Sequence, residues 1–346
     1  MLQRNEPNKH ELVLMKKPKK NIDMLGQLAT YQNYIANQIA NTQFPSEPNN
    51  LYTPAKYILE LGGKRMRPIL SMMACEMFSG HFENATNAAM GVEIFHNFTL
   101  VHDDMMDDAP LRRGKETVHE KWNSRVGLLS GDVLMIESYK RLADYQPHLL
   151  PKLIKLYNDT AIEVCEGQQM DMDFETSDSV SIDDYVKMIK LKTAVLLGCS
   201  LQLGAIVGEA SDQDARDLYH FGANLGIAFQ LQDDILDVYA DQSKFGKQVG
   251  GDIIANKKTF LLLKALELSD KNQKNRFEQL FDESDHEKKV KEVKKLYAEL
   301  NIKAIAEEQM NAFYAEAMSN LDAIQVDNSK KKPLRALAMF LLNRES

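Results

Sequence analysis

The chain has 346 residues, 44% hydrophobic and 27% charged, with a formal net charge of −8. That is enough for a large core in one or two domains. The acidic balance excludes nucleic acid as a general partner, and no run of 18 apolar residues marks an integral membrane protein.

No proline lies between Pro151 and Pro333, and Ala, Leu, Met, Lys, Glu and Gln dominate the chain. The strongest helix breaker is missing where good helix formers abound, so the expected fold is all-α, one helical domain over residues 21–346. Residues 1–20 are polar and basic and read as a frayed tail. Beside Lys16, Lys17, Lys19 and Lys20 only Leu12–Met15 is apolar, too short for a signal-peptide core. Cys75, Cys165 and Cys199 form neither a zinc pattern nor a disulfide framework; reduced, cytoplasmic thiols are the plain reading.

In chain order, Met24, Leu25, Leu28, Tyr31, Ile35 and Ile39 keep helical spacing over residues 21–41, and residues 44–50 read as a loop. Gly62-Gly63-Lys64-Arg65-Met66-Arg67-Pro68 places paired glycines and three cations before a helix at about 69–78. Such a turn can hold an anion; it can also be an ordinary basic turn. Residues 86–102 are apolar on nearly all faces and predict a central buried helix, with His96 as its polar exception.

That helix runs into Asp103-Asp104-Met105-Met106-Asp107, and Leu111-Arg112-Arg113-Gly114 follows. On a helix, i and i+4 lie about 40° apart and i+1 about 100° away, so Asp103, Asp104 and Asp107 are expected on one side. Helices are predicted over 125–145 and 149–167, then a loop to Asp178 and a capping-box start at Ser181-Ile182-Asp183-Asp184. The next helix carries Lys192-Thr193 on the border of an apolar run; a snorkelling surface lysine is the plain alternative. Residues 215–240 form a second central helix, with Gly222 and Gly226 permitting close packing and with Gln230, Asp233, Asp234 and Asp237 at its end. A Gly- and Lys-rich loop with Lys247 follows, then Asn256-Lys257-Lys258-Thr259 before a helix at 260–268 and exposed amphipathic helices to the end.

Two carboxylate clusters facing each other repel unless cations lie between them. Mg²⁺ suits them, because it takes oxygen ligands from one or two carboxylates plus substrate phosphates. Each cluster is trailed by Lys or Arg, so a diphosphate held by Mg²⁺ and capped by cations meets both demands. Apolar central helices make the rest of the substrate hydrocarbon.

These residues, in this order from about 55 to 260, resemble the trans-isoprenyl diphosphate synthases. The resemblance implies an isoprenoid-synthase bundle around a deep central cavity, usually a homodimer. It implies condensation of isopentenyl diphosphate with an allylic diphosphate. By position, Asp103 and Asp107 would bind Mg²⁺ on one wall and Asp233 a third ion on the other. Asp104, Asp234, Asp237 and Asp171 would support them. Arg112, Lys192 and Lys257 would hold the allylic diphosphate, and Lys64, Arg67, His96 and Arg113 isopentenyl diphosphate. Lys247, Thr193 and Gln230 would lie near the reacting centre. A growing product would run from the Asp103 cluster past small Thr99, with Phe98 as the stopper by family position. That predicts a twenty-carbon product, with fifteen carbons the runner-up. A class I terpene cyclase would usually lack the second DDxxD, and a non-catalytic subunit would lack one cluster.

Overall fold

The structure is a computed structural model that describes residues 19–177, 179–240 and 249–342, with side chains from residue 26. Residues 1–18 of the predicted tail, the loop with Lys247 and the last four residues lie outside the described residues, while Lys19 and Lys20, also read as tail, begin the first helix. Among the described residues the fold is all-helical apart from one two-residue hairpin.

Helices α1 (Lys19–Ala40), α2 (Asn49–Glu60) and α3 (Met66–Ser79) lead to the central α4 (Thr86–Met106). Met90, Val92, Ile94, Phe95 and Val101 of α4 are all buried. Glu93 and Asn97 are buried beside them, so His96 is not the sole polar residue of this helix, contrary to expectation. Strands β1 (Leu111–Arg112) and β2 (Lys115–Glu116) and the short α5 (Val118–Lys121) follow. Trp122 is partly buried, packed against the core and edge-on to Tyr57.

Asn123 caps α6 (Ser124–Ala143) by accepting from the Val126 N–H. Helix α7 (Leu150–Thr176) continues nine residues past the predicted end. The predicted loop is helical because nothing from Gln168 to Thr176 breaks the turn; Gln168 and Asp171 are therefore fixed on a helix. The capping box of Ser181 and Asp184 opens α8 (Ile182–Ile189).

The run to Val207 is not one α-helix. Lys190–Ala194 is a π-helical turn, in which the Val195 N–H reaches back to the Lys190 carbonyl, and α9 (Val195–Val207) resumes after it. The stretch Ile182–Val207 is long and apolar enough by composition to cross a membrane, but 72% of its most apolar window is buried in the bundle. It is a core helix. Gly167 lets α7 touch it backbone to backbone: a Cβ there would lie 2.1 Å from the Lys192 nitrogen.

Helix α10 (Asp212–Tyr239) is the shared axis of two cores. Leu218, Phe221 and Leu225 pack with α1, α3, α4 and α9, and Ile227, Leu231, Ile235 and Val238 pack with the later helices. Each fully buried side chain of this size contributes about 1.5–3 kcal/mol. The later helices are α11 (Gly251–Ile254), α12 (Phe260–Leu268), α13 (Lys271–Phe281), α14 (His286–Glu299), α15 (Ile302–Ala323) and α16 (Asn328–Leu342). They are less exposed than expected, since α15 lies along α10 and buries Ala317 and Leu321.

Candidate active site

The first acidic cluster sits where α4 ends, with Asp107 as its C-cap residue. Asp103 lies 3.6 Å from Lys192 Nζ and 3.9 Å from Arg112 Nη2. Lys192 Nζ also donates to Asp171 Oδ2 at 2.5 Å. Asp104 turns away: it is 1% exposed, and both its oxygens accept from Arg112 Nε at 2.8 Å. The three acids therefore do not share one open face; the offset of i+1 is enough to commit Asp104 to an arginine. Burial pushes the Asp107 carboxyl up, Asp103, Asp171 and Glu175 push it further, and Lys192 offsets only part. Carboxylates therefore crowd this end of the cleft, interleaved with Lys192 and Arg112.

The hairpin sends two adjacent arginines to two places. Arg113 and Gly114 take φ of 54° and 74° at its turn, the primed geometry that fits strand twist. Arg112 faces Asp104, while Arg113 donates to the Gly62 carbonyl. Gly63 is required for this, because a Cβ there would meet Arg113 Cζ at 2.8 Å.

Of the three cations in the Gly62–Arg67 turn, Arg65 is committed inward. It pairs with Glu93 and the Leu59 carbonyl, and Asn97 Nδ2 holds the same Glu93 carboxylate at 3.1 Å. Arg65→Met is expected to cost about 3 kcal/mol in chemical denaturation, since it strands a buried carboxylate. The lower end of the usual range applies because Arg67 and Arg113 also act on Glu93.

Arg67 Nη1 lies 3.1 Å from His96 Nε2, and its buried Nε has no partner. A buried donor without a partner is costly and calls for an acceptor. Burial pulls Arg67 down to about 10, still cationic at neutral pH. Burial and then Arg67, Arg113, Arg112 and Arg65 hold His96 well below its usual range. His96 is therefore neutral and accepts from Arg67 through Nε2, leaving its proton on Nδ1.

A cavity of about 610 Å³ opens on this basic end. Lys64, Arg67, His96 and Arg113 line it, with Thr193 and Gln230; Leu70, Leu197, Leu225, Phe229 and Leu341 make its apolar wall. A second cavity of about 1140 Å³ is lined by Asp107, Asp171, Lys192 and Lys257. Consecutive residues of the π turn, Lys192 and Thr193, thus face different cavities.

In the second cluster Asp234 is buried and accepts from Tyr185 Oη at 2.5 Å. Burial pushes its carboxyl up to about 7, the tyrosine hydrogen bond opposing. Asp237 accepts from the Asp252 N–H at 3.0 Å, tying α10 to α11. Asp233 is partly buried on the same helix. Burial draws Lys257 down, but Asp252, Asp171, Asp234 and Asp107 outweigh it and hold the ammonium above its usual range. Carboxylates from both clusters therefore act on one lysine.

Phe98 and Thr99 border neither cavity: Phe98 packs against His102 and Phe95, with ring centroids 4.8 and 5.5 Å apart, and Thr99 Oγ1 donates to the His96 carbonyl. Reading the sequence missed the Arg65–Glu93–Asn97 network, Tyr185 and the π turn. The first was signalled by two polar residues in an otherwise apolar helix; the other two left no signal in composition or spacing.

A profile of the polyprenyl synthetases matches residues 48–300. The chain belongs to the polyprenyl synthetase family. A geranylgeranyl diphosphate synthase of Saccharolobus solfataricus is 34% identical over 325 residues, 92% of this chain and 98% of the relative. A geranylfarnesyl diphosphate synthase of Natronomonas pharaonis is 34% identical over 251 residues, 67% of this chain and 73% of the relative. The crystal structure of a geranylgeranyl pyrophosphate synthetase from Pyrococcus horikoshii superposes with a TM-score of 0.88 at 32% identity, over 94% of this chain and all of that one. As a polyprenyl synthetase, the chain is an enzyme that transfers prenyl groups and makes prenyl diphosphates.

Proposed function

We propose that this enzyme condenses isopentenyl diphosphate with dimethylallyl, geranyl and farnesyl diphosphates in turn and releases geranylgeranyl diphosphate. The observation that carries the reading is the pair of anion sites meeting at Lys192-Thr193. One combines cations with several carboxylates; the other has cations, a neutral histidine and a single carboxylate, Glu93, already paired with Arg65. Two diphosphates of different character are held on either side of one turn. The test is a Mg²⁺-dependent turnover assay with isopentenyl diphosphate and each allylic primer, followed by product chromatography. No condensation with any primer defeats the reading.

The acidic cleft fits Mg²⁺. Its donors, Asp103, Asp107 and Asp171, are all carboxylate oxygens gathered around Lys192 at one end of the cleft. That suits an ion that keeps waters and takes substrate phosphates. Asp103 and Asp107 on one wall and Asp233 on the other would hold three ions, with Asp104, Asp171, Asp234 and Asp237 in support. When bound, Mg²⁺ neutralises charge on the leaving diphosphate.

The chain's own groups do the rest. Arg112, Lys192 and Lys257 orient the allylic diphosphate, and Lys64, Arg67, His96 and Arg113 that of isopentenyl diphosphate. Thr193 and Gln230 offer neutral oxygens to the allylic cation, and the apolar wall keeps water from quenching it. The isopentenyl double bond attacks that cation, and the departed diphosphate takes the proton. Lys247 is assigned near the reacting centre from the sequence alone.

Phe98, which borders neither cavity, is proposed from its family position alone to limit the product to twenty carbons. Phe98→Ala should shift the product beyond that length; an unchanged chromatogram would sink the stopper role.

A homodimer belongs to the same proposal. Leu128, Leu129 and Ile136 on one face of α6 and Ile162 on α7 are 49–59% exposed, a patch that a second copy would cover. Sedimentation should give twice the chain mass. With all three cysteines free, a cytoplasmic setting is proposed too.

A further inference from the structure

The segment carrying Lys257, residues 255–259, is a turn and a short extended piece between α11 and α12. Groups outside the assigned site fasten it from both sides. On one side Lys258 Nζ donates to the Phe174 carbonyl and lies 3.4 Å from the Glu175 carbonyl. Both belong to the last turn of α7, where carbonyls lack helical partners and a cation is favoured. Asp171 stands on the same helix about one turn earlier.

On the other side Lys289 of α14 is 3% exposed. Its Nζ lies 3.2 Å from the Ile254 carbonyl and 3.1 Å from the Phe281 carbonyl. Asn256, at a φ of 53°, donates to the same Phe281 carbonyl at 3.1 Å. A buried ammonium is costly unless its protons find acceptors, and these are the ends of α11 and α13. Within the segment, the Lys257 N–H bonds the Asp252 carbonyl at 2.9 Å, and the Thr259 N–H bonds the Lys257 carbonyl at 2.8 Å.

The geometry points to Lys258 and Lys289 as positioning residues that fix Lys257 across the cleft from Asp107 and Asp171. Lys258 borders the cavity, but its ammonium is spent on the end of α7. Lys289 reaches the segment from behind. The inference rests on the reading that Lys257 holds the allylic diphosphate.

The test uses the full chain as Lys258→Met, Lys289→Met, Lys258→Arg and Lys257→Ala, with each diphosphate varied in turn. Losing a charge-assisted anchor should raise the KM for the allylic substrate about tenfold. The KM for isopentenyl diphosphate should stay within about twofold, because that site lies on the far side of the π turn. Hydrogen exchange should quicken at residues 251–260 and not in α4. Lys258→Arg should restore the parent behaviour, since a guanidinium reaches the same carbonyls. The inference is overturned if Lys258→Met leaves both KM values unchanged, or if both rise together with faster exchange in α4. Should Lys289→Met fail to fold, Lys258→Met decides alone. Lys257→Ala separates the two claims. An unchanged allylic KM there defeats the role of Lys257 itself, and a raised one with Lys258→Met unchanged defeats the positioning role alone.

Discussion

Asp103→Asn is expected to lower kcat at saturating substrates by about 10²- to 10³-fold, the usual effect of removing one charge-stabilising group from a reaction centre. Asparagine keeps the shape of the side chain and removes its charge. Asp103 faces Lys192 and Arg112, so these cations lose a shared partner. The same charge raises the Asp107 carboxyl, so its removal relieves a repulsion there. The lost attractions and the relieved repulsion oppose each other, so thermal stability should hold while activity falls. Steady-state kinetics and a thermal melt on one preparation check both. A kcat within tenfold of the parent would remove Asp103 from the centre, and a fall in stability of similar weight would make the loss one of folding. Asp233→Asn should show the same kinetic loss if the second wall takes part.

Arg67→Met is expected to act on one substrate only. A buried cation that pairs with a ligand anion is worth about 2 kcal/mol or more when removed, at least about thirtyfold in affinity. The KM for isopentenyl diphosphate should rise by that factor, and the allylic KM should hold. Arg67 is the residue to choose because its buried Nε has no partner. Methionine fills similar volume without the donor. His96 supplies an independent readout. After burial, Arg67 is the strongest influence holding its imidazole low, so in the variant His96 should titrate nearer its ordinary range by NMR. Equal effects on both substrates would refute a dedicated isopentenyl diphosphate site.

Much of this was legible because charge on apolar helices is conspicuous. Asp103 and Asp233 follow long buried runs, and the cations after each are local in sequence, so their proximity needed no tertiary information. The 3.6-residue period also set α4 and α10 well. What stayed hidden depended on direction. Asp104 and Asp103 are neighbours in sequence, yet one is sealed against Arg112 and the other faces Lys192. Arg112 ends β1 and Arg113 opens the two-residue turn, so the chain begins to reverse between them. Arg65 is the same residue type as Arg67, but a left-handed backbone at φ 51° turns it inward to Glu93. Gln168 and Asp171 looked like a polar loop because acids crowd there, while α7 simply continued through them. The π turn is set by packing rather than by local preference.

That turn meets α7 at Gly167, where main chain rests on main chain with no side chain between. Side chains yield by changing rotamer; covalently fixed backbone does not. The gap between the helix of Asp171 and the helix of Lys192 therefore has a hard stop rather than a cushion, and its tolerance is that of peptide geometry. Breathing of the bundle can widen the cleft but cannot narrow it below this limit. Gly167→Ala would act as a shim of one carbon, driving Lys192 off Asp171 without touching a charge.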